Sequence, residues 1–254
     1  MITIETLLEK IERAKDLDFG TIFNESIELF KKVWLQGFVI LLLSMLLMLP
    51  FYILMYIPLI AMGVMDPESL NNGGQPNLAI MLPFYGLMIV FAFFAMIIGV
   101  GLKAAFFKIC KNKDLNTTAN DDYFYFFKKP YFGKTAKIGA ISFGLFIGSY
   151  ILCFFPVIYM VVPVTMINVI YAFNPDMSAS NIVKASFKLG NKKWLIIFGL
   201  TFVSGMLAGI VGAIMCFIGI LFTSSFSYIP AYFVYKNSIG LDDKSEIEQI
   251  GKGE

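Results

Sequence analysis

The chain contains no histidine. That absence removes the one side chain whose unperturbed pKa sits near neutrality, the commonest metal ligand, and every nucleophile activated by imidazole. Cysteine is scarce. Cys110, Cys153 and Cys216 show no C-x-x-C spacing, and metal sites need clustered ligands. Each is expected as a small buried hydrophobe, with a Cys153–Cys216 disulfide as the alternative. Charged residues make up only 15% of the chain, against about 25% in a soluble domain. No catalytic residue, no metal and no cofactor is expected from this inventory.

Apolar residues are abundant, at 58% of 254, and the mean hydropathy is +0.75. Several uncharged runs reach the roughly 20 residues that cross a bilayer core as helix. The expected class is an all-α polytopic membrane protein. Residues 138–173 carry no charge and are interrupted by Pro156. They cross either once as a long helix or twice, hinged at the proline.

Charge decides between these. Residues 108–137 hold Lys108, Lys111, Lys113, Lys128, Lys129, Lys134 and Lys137, and residues 174–193 hold Lys184, Lys188, Lys192 and Lys193. Cytoplasmic loops carry the lysine and arginine excess, so both basic loops belong on one side. Two crossings follow. The uncharged run 194–235 is again too long for one crossing and splits near Val211 and Gly212.

Six transmembrane helices in three hairpins are therefore expected, at 34–64, 77–107, 138–155, 157–173, 194–211 and 213–235. Residues 1–33 form amphipathic helices on the cytoplasmic side, and 236–254 a polar tail. This arrangement puts all 20 lysines and arginines and both termini in the cytoplasm, leaving Asp66 and Glu68 outside. A plasma membrane, of the bacterial inner-membrane kind, is the expected location. No cleavable signal is visible, so the first span is expected to act as the targeting signal.

Ile4, Leu7, Leu8 and Ile11 recur at helical spacing, and Ile22, Phe23, Ile27, Phe30 and Val33 form a second stripe after a break at Asp18 to Gly20. These helices either lie along the interface or bind a partner or lipid. Trp34, Trp194, Tyr123, Tyr125 and Tyr131 are expected to anchor at the headgroups. The aromatic run 123–132, interleaved with lysines, could stack single-stranded nucleic acid. Beside a bilayer it is read as an anchor, and no nucleic-acid partner is expected. The partners are the lipid bilayer and another membrane protein.

A shift of 160 residues aligns Ile22, Ser26, Leu29, Lys32, Trp34, Leu35 and Phe38 with Ile182, Ser186, Leu189, Lys192, Trp194, Leu195 and Phe198. This internal repeat is parallel, unlike the inverted halves of many transporters. In its second copy Lys184, Lys188 and Lys192 form a row at helical spacing. They either contact anionic lipid or only fix topology. Small residues mark helix-packing faces at Ala140, Gly144 and Gly148 and at Gly205 and Gly209. Asn168 is the amide at depth, either bonding a helix or contacting a ligand. Lys103, near the end of the second span, can snorkel to the interface.

The segments Pro156-Val157-Ile158-Tyr159, Asn181-x-x-x-Ala185-Ser186-x-x-Leu189 and Lys193-Trp194 resemble a group of prokaryotic six-span proteins. That group is related to the membrane domain of some glycerophosphodiester phosphodiesterases. Val157 stands where the group usually has glycine. The resemblance implies a six-helix membrane domain. The phosphodiesterase activity does not carry over, because its catalytic domain has no counterpart here. Some proteins of similar appearance are labelled carotene monooxygenase, chemistry that needs iron held by histidines. Three functions remain open: a non-enzymatic scaffold, assembly or regulatory subunit; a facilitator or channel for a small solute; and a lipid-modifying enzyme using Asp121 and Asp122.

Overall fold

A computed structural model describes residues 3–61, 78–152, 155–215 and 218–241. Asp66, Glu68, Cys153, Cys216 and residues 242–254 lie outside the described residues. Those described are helical throughout, apart from the links between helices.

Helix α1 spans Ile4–Arg13, and the Thr3 hydroxyl caps it by accepting the Thr6 N–H at 3.3 Å. Its stripe turns inward, with Leu7 and Ile11 fully buried. Helix α2 spans Phe19–Ala61. The Asp18 carboxylate starts it by accepting both the N–H and the hydroxyl of Thr21, each at 2.7 Å.

The 43 residues of α2 make a rod of about 64 Å, twice what a hydrocarbon core requires. The boundary expected between residues 33 and 34 falls inside this unbroken helix. No cap, glycine or proline at that point offers an alternative to helix, so the amphipathic stripe and the first apolar run are one element.

Helix α3, Leu78–Asp114, returns alongside α2, with Phe51 stacked on Phe94 and Tyr52 against Phe91, ring centroids 4.9 Å apart in both pairs. Helix α4, Lys129–Ile151, crosses α3 at Gly139, and α5 spans Phe155–Phe173. Helix α6, Ala179–Lys192, is capped by Ser178 and folds back along α5, with Gly190 against Pro163. Helix α7, Trp194–Ile214, follows after a single non-helical residue, Lys193.

The last apolar run is broken. In place of one helix over 213–235 stand α8 (Gly219–Thr223), a 3-10 turn (Ser224–Tyr228) and α9 (Ile229–Ile239). The Thr223 hydroxyl bonds the carbonyls of Ala208 and Gly219, at 2.7 and 3.0 Å, tying this run back to α7. Ser238 and Ile239 are buried, so ordered chain continues past Lys236, where the polar tail was expected to begin.

Four stretches are long and apolar enough to cross a membrane: Phe19–Ile57, Leu82–Asp114, Pro156–Phe173 and Trp194–Ile214. Large apolar side chains lie exposed along them, among them Leu46, Ile53, Leu82, Ile89 and Ile214. Apolar surface of that extent suits lipid, not water. The bulkiest buried side chains, Tyr171, Tyr232, Tyr235, Phe106, Phe107 and Phe126, gather instead at the lysine-bearing end.

The 160-residue shift pairs two serines that make matching hydrogen bonds. Ser26 donates to the Ile22 carbonyl and Ser186 to the Ile182 carbonyl, both at 2.7 Å and both fully buried. The copies part at the next turn. The first continues as α2 through Val33, whereas the second breaks at Lys193.

Among the described residues, the expected packing glycines have little beside them. A Cβ on Gly144, Gly148 or Gly209 would meet nothing within 4 Å, and one on Gly205 would reach Ser227 only at 4.0 Å. Close approach falls at Gly139, beside Ala140, where a Cβ would lie 2.8 Å from the Ile97 Cα. A four-residue spacing marks a helix face without saying which neighbour it meets. Gly139→Ala is expected to destabilise the α3–α4 crossing by about 1–3 kcal/mol. Gly144→Ala should be neutral or stabilising, by up to about 1 kcal/mol. Thermal unfolding of both variants in detergent checks the contrast.

Candidate functional site

Ionisable groups concentrate where α1, α6, α9, the N-terminal end of α2 and the C-terminal end of α3 converge. Lysines from the end of α6 and the link after it reach the carbonyls at the C-terminal end of α1. Lys192 donates to the carbonyls of Ile11 (3.0 Å) and Glu12, and Lys188 pairs with the Glu12 carboxylate. Lys193, 6% exposed, donates to the Lys15 carbonyl at 2.7 Å and reaches Asp16 at 3.1 Å. Two of the three lysines expected to face anionic lipid are therefore occupied in seating α1. Lys184 and Lys192 of that row stay exposed, and Lys188 is half-buried.

A second cluster centres on Asp114 at the end of α3. It accepts from the Tyr232 hydroxyl at 2.7 Å and the Lys236 ammonium at 2.6 Å. Around it opens a crevice of about 550 Å³ between α2, α3 and α9, whose polar lining is Asn24, Glu25, Glu28, Lys32, Asp114 and Lys236. Asn237 at its margin bonds Glu25 at 3.3 Å.

The aromatic run folds partly inward, with Phe124 and Phe132 left exposed. Phe126 is fully buried, Tyr125 stacks on Tyr131, and the Lys108 ammonium sits 3.2 Å from the Tyr125 ring centroid. The Tyr125 hydroxyl donates to that of Tyr131 at 3.1 Å, and Tyr123 is half-buried. Burial, then the Tyr131 contact, raises the Tyr125 pKa. Trp34 is 43% exposed beside Phe222, while the Trp194 indole N–H donates to the Tyr159 carbonyl at 3.2 Å.

Asp121 accepts from Gln36 at 3.1 Å and pairs with Lys113 at 3.3 Å, and Asp122 pairs with Lys128. Asn168 is buried. Its amide donates to the Val164 carbonyl at 3.1 Å, and its Oδ1 has no partner. Cys110 is buried and free, and no cluster of metal-ligating side chains occurs among the described residues. The sequence did not single out Asp114, the residue that joins α3 to α9. The one signal available was an acid closing an apolar run that is otherwise followed by lysines.

No protein-family model, curated protein or solved structure matches the chain.

The α1 seat has a pH signature. The Lys188 hydrogen bond, then its charge, lowers the Glu12 pKa below the ordinary 4.5; the Thr21 hydroxyl and N–H lower that of Asp18 below 3.8. Carboxyls depressed in the folded state contribute stability above their unfolded pKa and lose it as pH falls through the folded one. The thermal midpoint of Glu12→Gln is therefore expected below that of the parent chain above about pH 5, with the gap closing below about pH 4. A gap independent of pH would contradict the pairing.

Proposed function

We propose that the protein is a non-enzymatic, six-crossing membrane protein serving as a scaffold, assembly or regulatory subunit of a membrane complex. It lies in a plasma membrane of the bacterial inner-membrane kind, with both termini cytoplasmic. A relation to the membrane domains attached to glycerophosphodiester phosphodiesterases belongs to the same reading. α4 and the broken α8–α9 run supply the crossings beyond the four long apolar helices. The sorting of lysines to one end supports that count.

The observation that carries the functional reading is the correspondence between the open crevice and the α1 seat. α1 docks on the second repeat copy at Lys188 and Lys192. The 160-residue shift maps these onto Glu28 and Lys32, which line the crevice. One face of the repeat thus carries a docked amphipathic helix in one copy and stands open in the other. Its occupant is an amphipathic helix of a neighbouring membrane protein, with basic residues in its last turn to meet Glu25 and Glu28.

A solute pathway draws less support. Of the hydroxyls that would line one, Thr223 donates to the Ala208 and Gly219 carbonyls and Ser227 to the Ser224 carbonyl, which fastens them to backbone. A lipid-modifying enzyme would need Asp121 and Asp122 free, and both are engaged by cations. Affinity purification in mild detergent tests the proposal. A specific membrane protein should co-purify, and Glu28→Lys should lower its recovery about tenfold or more. A partnerless chain that moves a solute into liposomes would overturn it.

A further inference from the structure

Lys103 is the one charge in the apolar stretch 82–107 of α3. Among the described residues no carboxylate pairs with it. A cation beside apolar surface is stabilised by an anion alongside it, so this position suits an anionic ligand. Its ammonium lies 4.5 Å from the Tyr228 ring centroid, held over a cavity of about 60 Å³ between α2, α3 and the 3-10 turn.

A second, independent feature points into the same space. Ser225 is 4% exposed, lines this cavity, and its hydroxyl has no hydrogen-bond partner. A buried hydroxyl left unbonded is costly, and a ligand acceptor would recover that cost. Gly37 makes room for it, since a Cβ there would lie 2.1 Å from the Ser225 Oγ. Ser224 also lines the cavity. The break between α8 and α9 is what presents these two serines side by side.

We propose that this cavity binds the phosphate of an acidic phospholipid. Lys103 supplies the counter-charge, and Ser224 and Ser225 donate hydrogen bonds to phosphate oxygens. The lining holds a single charge, which is positive, so the ligand is an anion. A liquid water occupies about 30 Å³, so the space suits a compact oxyanion and not a whole nucleotide. Leu41 also lines the cavity, and Met45 and Leu49 continue its stripe outward along α2 with their side chains exposed. The acyl chains lie along that stripe. This site is distinct from the charged crevice and does not depend on it.

The test titrates the purified full chain in detergent with phosphatidylglycerol, with diacylglycerol of the same chains, and with inorganic phosphate, read by native mass spectrometry. One phosphatidylglycerol should bind per chain. Lys103→Met should weaken it about tenfold or more and Ser225→Ala several-fold, while Lys103→Arg retains it. Lys137→Met, which removes an exposed lysine elsewhere on α4, should bind as the parent does. Displacement by inorganic phosphate would keep the oxyanion site and assign it to the free ion. Equal binding of diacylglycerol, no binding of either phosphate compound, or equal losses in Lys103→Met and Lys137→Met would overturn the proposal. Should Lys103→Met fail to fold, unchanged binding by Ser225→Ala would do so.

Discussion

An ionised side chain in hydrocarbon costs several kcal/mol, and the arrangement of this molecule follows from avoiding that cost. Long uncharged helices carry the exposed apolar surface, and the charged groups gather beyond their ends. Once concentrated there, the charges do structural work. Lysines of α6 complete the end of α1, Asp114 ties α3 to α9, and Lys134 reaches the Pro175 carbonyl across the α5–α6 turn. An exposed ion pair is worth about 0–1 kcal/mol, so none of these contacts holds the end alone. The apolar faces of α1 and α6 provide the cohesion, through Leu7, Ile11, Ile182, Ala185 and Leu189, all fully buried. The ion pairs set where those faces settle.

The two segments that the 160-residue shift aligns differ in use. Ser26 and Ser186 make the same hydrogen bond in equally buried surroundings. Yet Val33 continues a helix where Lys193 interrupts one. The lysine reaches sideways for the Lys15 carbonyl and Asp16, a contact that valine cannot make. That difference frees α6 to lie back along α5 and to receive α1, while the matching face of α2 opens on a crevice.

Much of the architecture was legible in the chain. The apolar runs and the burial of Leu7 and Ile11 rest on composition and periodicity, which are local properties. What was not legible depends on neighbours distant in sequence. Nothing near Lys188 or Lys192 announces that they meet the end of a helix some 180 residues earlier. The aromatic run at 123–132 has the composition of a headgroup anchor, and nothing in it announces that Thr135 bonds the Phe126 carbonyl or that Phe126 is fully buried. The break at Ser224 to Tyr228 lies within an apolar run that hydropathy alone reads as a continuous crossing.

The segregation of charge to a single membrane face is the claim on which the rest depends. Single cysteines in place of Lys31, Lys129 and Lys184, in a chain whose three native cysteines are replaced, can be probed with a membrane-impermeant thiol reagent. Intact cells and inverted vesicles present opposite faces. All three positions should react only in the inverted vesicles. Reaction of the residue-184 cysteine in intact cells, with the other two protected, would contradict the account.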